Sequence, residues 1–214
     1  MMSSSGVRPD QSSCEQARGG ARHKVLIQMS GAPGSGKSTT AGLVGQSIGA
    51  VVIDHDIIKS TLLADDSIPF EQAAKSAYRL GWALVGTLMR QGWSVILDST
   101  CNYKETLETG MKLAGDHSYE YWYIECRIDD IGVLDERLRK RAPLRSQRAG
   151  VHRPPSDATD TLEDPVALFK RWVENPCRPE EGSDTRIIIV DSTRGPEECR
   201  EQIMERILKG GTKT

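Results

Sequence analysis

The sequence predicts an α/β fold in which a parallel five-stranded sheet carries helices on both faces. Three observations lead there. Short β-branched runs alternate with stretches of helical period, the pattern of successive strand–helix units. A Gly-rich loop, Gly31 to Ser38, lies between the first apolar run and the first helical stretch. A length of 214 residues suits one such layered domain better than two.

Residues 1–23 are rich in Ser, Gly, Arg and Gln and almost devoid of large apolar side chains. They bury too little to offset the entropy of ordering, so a flexible tail is expected there and a domain over 24–210. Strands are expected at Val25–Met29, Ala50–Ile53, Ser94–Leu97, Glu120–Ile124 and Arg186–Val190. Helical patterns fall at Lys37–Ser47, Phe70–Gln91, Tyr103–Leu113, Ile131–Arg141, Pro165–Glu174 and Pro196–Leu208, with a further helix starting near Ile57. Asp164 before Pro165 marks a helix start, because Asp caps free amides and Pro is tolerated in the first turn. Lys209-Gly210-Gly211 marks a helix end. The segment Ala149–Thr161 has Pro154-Pro155 and no apolar period, which reads as a loop.

Composition excludes several classes. Lys+Arg 28 against Asp+Glu 30 gives a net charge of −2, so no global attraction to nucleic acid or anionic membrane is expected, and any basic site is local. The longest apolar runs, such as Ile187–Val190, fall far short of the roughly 20 residues a bilayer helix needs. No membrane partner and a cytoplasmic location are the expectation. The five cysteines are widely spaced and form no C-x-x-C pair, which supports neither a disulfide framework nor a zinc site.

Gly31-Ala32-Pro33-Gly34-Ser35-Gly36-Lys37-Ser38 fits G-x-x-x-x-G-K-[ST] in the strand–loop–helix context that motif requires. Its glycines let successive N–H groups turn toward phosphate oxygens, and the helix N-terminus adds partial positive charge. These eight residues, with Thr39 beside them, are the candidate nucleotide contacts. Lys37 would reach the β- and γ-phosphates, and Ser38 would hold Mg²⁺. No N-K-x-D segment is present, which disfavours guanine. Asp98 ends the run Val95-Ile96-Leu97 and is a second candidate for the metal. Ser99 follows it where many ATPases carry a water-polarising Glu. Transfer to an acceptor other than water gains weight accordingly.

Val51-Val52-Ile53-Asp54-His55-Asp56 sets two carboxylates just past a strand end, the edge where open α/β sheets bind ligands. A phosphoryl-transfer enzyme needs a carboxylate there to orient the attacking hydroxyl and take its proton. Asp56 is the first candidate and Asp54 the reserve; capping the helix near Ile57 is the alternative use of both. An acceptor pocket is expected between Asp56 and the long helix bearing Tyr78 and Trp82, with Trp93 just beyond it; such aromatics are more often core than platform.

From Arg137 to Arg148 six basic residues occur with no acid among them. Arg137 and Arg141 are the candidates for spreading positive charge over the transferring phosphoryl group, as neighbours one helical turn apart. They would belong to an Arg-rich lid at about 137–162. The same Arg run could contact polynucleotide phosphates.

Taken together, Gly31–Ser38, Asp56, Asp98-Ser99-Thr100 and Asp135-Glu136-Arg137 through Arg141 resemble the small P-loop kinases grouped with polynucleotide kinase, chloramphenicol phosphotransferase and the zeta toxins. The resemblance implies strand order 2-3-1-4-5, ATP and Mg²⁺ as cofactors, Asp56 as base and Arg137 and Arg141 as lid arginines touching ATP. It also likens Asp191-Ser192-Thr193-Arg194 to the loop bordering adenine, with Thr193 as a nucleotide contact. Polynucleotide kinases tend to carry Arg one turn after the base, whereas this chain has Lys59, which lacks the planar bidentate fork. The expected activity is ATP-dependent transfer to a hydroxyl of a small-molecule or nucleoside-type acceptor. A polynucleotide 5′-hydroxyl kinase and a non-catalytic ATP-dependent switch are the alternatives, so nucleic acid is a possible partner but not the favoured one.

Overall fold

The computed structural model describes residues 24–158, 164–180 and 186–210. The expected tail at 1–23 and the end of the expected lid, 159–162, lie outside the described residues. In chain order the elements are β1 (Val25–Ser30), α1 (Lys37–Ile48), β2 (Val51–Asp54), α2 (His55–Leu62), α3 (Phe70–Arg90), β3 (Val95–Asp98) and α4 (Lys104–His117). There follow β4 (Glu120–Arg127), α5 (Ile131–Lys140), α6 (Pro165–Glu174), β5 (Arg186–Asp191), a 3-10 turn at Ser192–Arg194, and α7 (Pro196–Gly210). The sheet order is β2-β3-β1-β4-β5, and every pair is parallel. The expected fold class and strand order are both observed.

β1 is the central strand and is buried at all six positions. That is why apolar residues of β1 point to both faces of the sheet rather than to one. Side chains pointing to one face, including Ile27, Met29, Ile124 and Val190, pack with Val44 of α1 and Ile203 and Ile207 of α7. The opposite face sets Leu26, Leu97, Tyr121 and Tyr123 against Val85 and Met89 of α3 and Leu107 of α4. Gln28 lies fully buried on this second face. Its Nε2 donates to Cys101 Sγ at 3.0 Å and its Oε1 accepts from the Tyr121 hydroxyl at 2.7 Å, so the amide is satisfied where an orphan would be costly.

A third cluster joins α5 and α6: Leu134, Leu138 and Phe169 pack with Val151, Ile128 and Ala32. Ala32 belongs to the Gly-rich loop, so the base of the Arg-rich segment is fastened to that loop by apolar contact.

Parallel register brings the strand ends to one edge, pairing Asp54 with Asp98, Ser30 with Glu125 and Arg127 with Asp191. β4 runs three residues beyond its expected end at Ile124. The charged Glu125 and Arg127 hid that extension. Glu125 is nonetheless buried, because Arg178 grips it with two bonds of 2.6 and 2.7 Å.

α4 runs to His117, four residues past its expected end at Leu113, and two helix limits beside the cleft also depart from expectation. The helix foreseen near Ile57 begins at His55, because the Asp54 side chain accepts from the amides of Asp56 and Ile57. The helix expected to include Arg141 stops at Lys140, and Arg141 is extended at φ −94° and ψ 153°. Pro143, two residues on, disfavours helix for the chain leading into it.

Candidate active site

The helix that follows the Gly-rich loop starts on a left-handed glycine, and like α3 and α4 it has no side-chain cap. α2, α5 and α6 each begin with an Asp whose carboxylate takes the first amides. α1 begins with Gly36 in the left-handed region at φ 90°, with no side-chain cap. Its first-turn amides therefore stay available to an anion. Gly31 is still more constrained: at φ +127° it lies in a region L side chains rarely adopt, and a Cβ there would overlap the Cys126 carbonyl oxygen.

A cavity of about 320 Å³ opens at this point, lined by Pro33, Gly34, Gly36, Lys37, Ser38, Thr39, Thr40, Arg137, Arg141, Ser192 and Pro196. The Lys37 ammonium donates to the Ala32 carbonyl at 3.1 Å. Burial pushes its pKa down, while the nearby carboxylates of Asp98 and Asp56 act in the opposite direction. Lys37 thus feels both carboxylates that sequence singled out, one at the end of β3 and one in the first turn of α2.

Asp98 is nearly fully buried, and its Oδ1 has no hydrogen-bond partner. Burial raises its pKa to about 6, opposed by Lys37 and by a hydrogen bond from Ser38. A buried carboxylate oxygen left open beside a hydroxyl is the donor set a hard divalent cation takes. Ser38 and Asp98 therefore fit Mg²⁺ held jointly with nucleotide phosphates. Among the described residues no group of three or more His, Cys, Asp or Glu forms a protein-only metal site.

Of the six basic residues in the Arg-rich segment, two line the cavity. Arg137 donates to the Ser192 carbonyl at 3.1 Å. Arg141 donates to the Arg148 carbonyl at 3.4 Å and keeps a buried Nε without a partner. Burial lowers the Arg141 pKa, with Asp56 and Asp54 opposing. The other four are engaged elsewhere. Arg139 pairs with Asp135 at 2.7 Å and Lys140 with Glu136 at 2.5 Å. Arg145 bridges Asp66 and Asp157. Arg148 lies against the Phe169 and Trp172 rings and donates to the Val151 carbonyl at 2.5 Å.

The two candidate bases separate by use. Asp54 spends its Oδ1 on the start of α2, at 2.8 and 3.2 Å from the Asp56 and Ile57 amides. Asp56, in the first turn, points its carboxylate toward the segment after Arg141. There Gln147 Nε2 donates to Asp56 Oδ2 at 2.8 Å, and Ser146 Oγ lies 3.5 Å from Oδ1. The carboxylate expected to face an acceptor is thus already engaged by residues of the chain itself. Nothing in the local sequence marks Ser146 or Gln147, which lie about 90 positions from their partner.

The neighbouring side chains are mostly packed. His55 stacks on Tyr78 with ring centroids 4.0 Å apart, and burial lowers its pKa to about 4. Lys59 covers the Phe70 ring at 3.5 Å. Trp82 belongs to the core, whereas Trp93 is exposed beyond the end of α3. Thr193 is exposed, and its hydroxyl donates to Asp191 at 2.6 Å. The cavity wall in that loop is formed by Ser192 and Pro196.

Several solved structures share this fold. A sugar kinase from Janibacter sp. HTCC2649 superposes with a TM-score of 0.57 at 15% identity, covering 85% of this chain and 93% of that one. A gluconokinase from Sinorhizobium meliloti 1021 gives 0.53 at 17% identity, covering 85% and 90%. The APS kinase CysC of Mycobacterium tuberculosis, in complex with AMPPNP and APS, gives 0.54 at 17% identity, covering 86% and 96%. No curated protein matches the sequence. Residues 26–165, which carry the Gly-rich loop, Asp56, Asp98 and the Arg-rich segment, match the AAA domain family, and the chain belongs to that family.

Proposed function

We propose that the chain is an ATP- and Mg²⁺-dependent phosphotransferase that moves the γ-phosphate to a hydroxyl of a small-molecule or nucleoside-type acceptor, with residues 24–210 as its domain and about 137–162 as its lid. The observation that carries this reading is the convergence on Lys37: the phosphate cavity with Arg137 and Arg141 lies on one side, and the Asp98 and Asp56 carboxylates both act on its ammonium. The kinases sharing this fold, named for a sugar, gluconate and APS, support a small-molecule acceptor.

In this scheme the loop amides from Gly31 to Thr39 and Lys37 hold the β- and γ-phosphates. Ser38 and Asp98 would hold Mg²⁺, which when bound would neutralise charge on the phosphate oxygens. The acceptor hydroxyl donates to Asp56, its oxygen bonds to the γ-phosphorus as the bond to the β–γ bridging oxygen breaks, and the proton passes to the Asp56 carboxylate. Arg137 and Arg141 spread positive charge over the transferring group. Asp54, committed to the helix start, stays out of the proton path.

The test is transfer from γ-labelled ATP, with Asp56→Asn as control, onto a metabolite extract and separately onto a 5′-hydroxyl oligonucleotide. Label on a small molecule, lost in Asp56→Asn while ATP binding survives, is the expected outcome. Label on the oligonucleotide would make the chain a polynucleotide kinase instead. No Asp56-dependent label on either would leave an ATP-dependent binding or switch protein.

A further inference from the structure

The segment 144–148 is stitched to α2 by side chains. Ser146 Oγ donates to the Asp56 carbonyl at 3.2 Å, and Ser60 Oγ lies between, donating to Ser146 Oγ at 2.8 Å and accepting from its amide at 3.1 Å. Arg145 reaches Asp66, beyond the end of α2, at 2.6 Å. Gln147 completes the strap. Its Oε1 accepts from the Leu144 amide at 3.2 Å, while its backbone N–H donates to the Leu144 carbonyl at 2.8 Å. That pairing fixes which end of the side chain is which: Nε2, a donor only, is the group presented to Asp56 Oδ2. A carboxylate awaiting a hydroxyl proton thus already holds a donor at hydrogen-bonding distance.

We infer that Gln147 is a specificity-determining residue that stands in for the acceptor hydroxyl: it keeps Asp56 from activating water and yields only to an acceptor whose hydroxyl displaces it. This rests on Asp56 being the base. A lone water has to compete with a tethered amide for the same oxygen, whereas an acceptor brings binding contacts beyond its hydroxyl to drive the exchange. The strap is anchored at its far end by Arg148, buried among Val151, Phe169 and Trp172. Loss of the Gln147 contact therefore loosens the strap over Asp56 while Ser146, Arg145 and Arg148 still hold it in place.

The test needs no acceptor. The full chain carrying Gln147→Ala, Gln147→Glu, Asp56→Ala or Gln147→Ala with Asp56→Ala is compared with the unaltered protein by hydrogen exchange over 144–148 and by ADP release from Mg·ATP, using Lys37→Ala as the blank. Apart from the Leu144 amide, which loses its Oε1 acceptor in any Gln147→Ala chain, Gln147→Ala and Asp56→Ala are each expected to speed exchange in the strap, with no further gain in the double variant. Gln147→Glu, which keeps the size but repels Asp56, does the same. ADP release is expected to rise about tenfold in Gln147→Ala and to fall back when Asp56 is also removed, since a general base contributes a factor of that order or more. Unchanged strap exchange, unchanged ADP release, or a rise that survives removal of Asp56 would each overturn the inference. Calorimetry separates this from failure of the kinase reading. If Mg·ATP does not bind in a Lys37-dependent manner the phosphotransferase reading falls and the inference with it, whereas intact binding with any overturning result removes the inference alone.

Discussion

The two halves of the cleft are built by opposite means. The phosphate half comes from one stretch of backbone: a loop of eight residues, three of its glycines at positive φ, leading into a helix with no side-chain cap. The Asp56 half comes from side chains that meet across 86 to 91 positions, with Ser60, Ser146, Gln147 and Asp56 exchanging hydrogen bonds. Backbone amides hold their aim at no entropic cost at the moment of binding. Side-chain contacts between a helix and a strap can be exchanged one for one with those of a ligand. The first half is suited to a constant partner, a nucleotide phosphate. The second is suited to a partner that has to be told from water.

If that division holds, the deepest loss comes from the charged side chain that the loop itself supplies to the phosphate half. Lys37→Ala is expected to lower phosphoryl transfer by about 10³-fold or more and to weaken ATP binding as well. Asp56→Asn is expected to lower transfer by at least about 10²-fold with ATP binding kept. Single-turnover assays beside ATP titration distinguish the two. Loss of ATP binding in Asp56→Asn would break the separation between halves.

Next in size is the contrast within the Arg-rich segment. Arg137→Ala is expected to cost about 10²-fold or more in transfer, because its charge faces the cavity. Arg139→Ala, which breaks only a half-exposed pair with Asp135, is expected to change transfer less than about twofold. Equal effects in a kcat comparison would mean that the segment acts through net charge rather than placement.

A methyl group probes the same comparison through stability. Gly31→Ala is expected to destabilise by about 1–3 kcal/mol, from the overlap with the Cys126 carbonyl and the strained φ. Gln147→Ala removes two hydrogen bonds, one to Asp56 and one from the Leu144 amide, and is expected to cost about 1–2 kcal/mol. Chemical denaturation of both variants gives the two values, and a larger loss at Gln147 would show that the strap supports the fold.

How much of this was legible in the sequence follows from range. The strand–loop–helix around Gly31–Ser38 is a local pattern, and its residues lie where the pattern placed them. Arg137 and Arg141 were separable from the basic residues around them only through their relation to the loop. Sequence also set them on one helix, which Arg141 leaves ahead of Pro143. Sequence ranked Asp56 ahead of Asp54 only by position, and the α2 amides held by Asp54 give that ranking a physical basis. Gln147 and Ser146 were invisible for a different reason: polar residues in a loop carry no periodicity, and their partner is distant along the chain. Glu125 escaped because a charge in a strand reads as its end, and only Arg178 accounts for its burial.

The smallest expected effect sharpens the comparison by sign. Asp98 in the phosphate half has its pKa raised to about 6 by burial, and His55 in the other half has its pKa lowered to about 4, also by burial. A carboxyl with a raised native pKa holds more protons folded than unfolded, so its contribution to stability is full below its unfolded pKa and is lost as pH rises toward 6. A lowered histidine holds fewer, so its contribution is full above its unfolded pKa near 6.5 and is lost as pH falls toward 4. Across pH 4 to 6 the two halves therefore tilt the metal-free protein in opposite directions, each by no more than about 1.4 kcal/mol per pH unit. Asp98→Asn should make stability rise more steeply with pH in this window, and His55→Asn should make it rise less or fall. Denaturant midpoints at half-unit steps measure both slopes. Slopes of the same sign would mean that the two buried groups titrate as one coupled site and that the division between the halves does not extend to their protons.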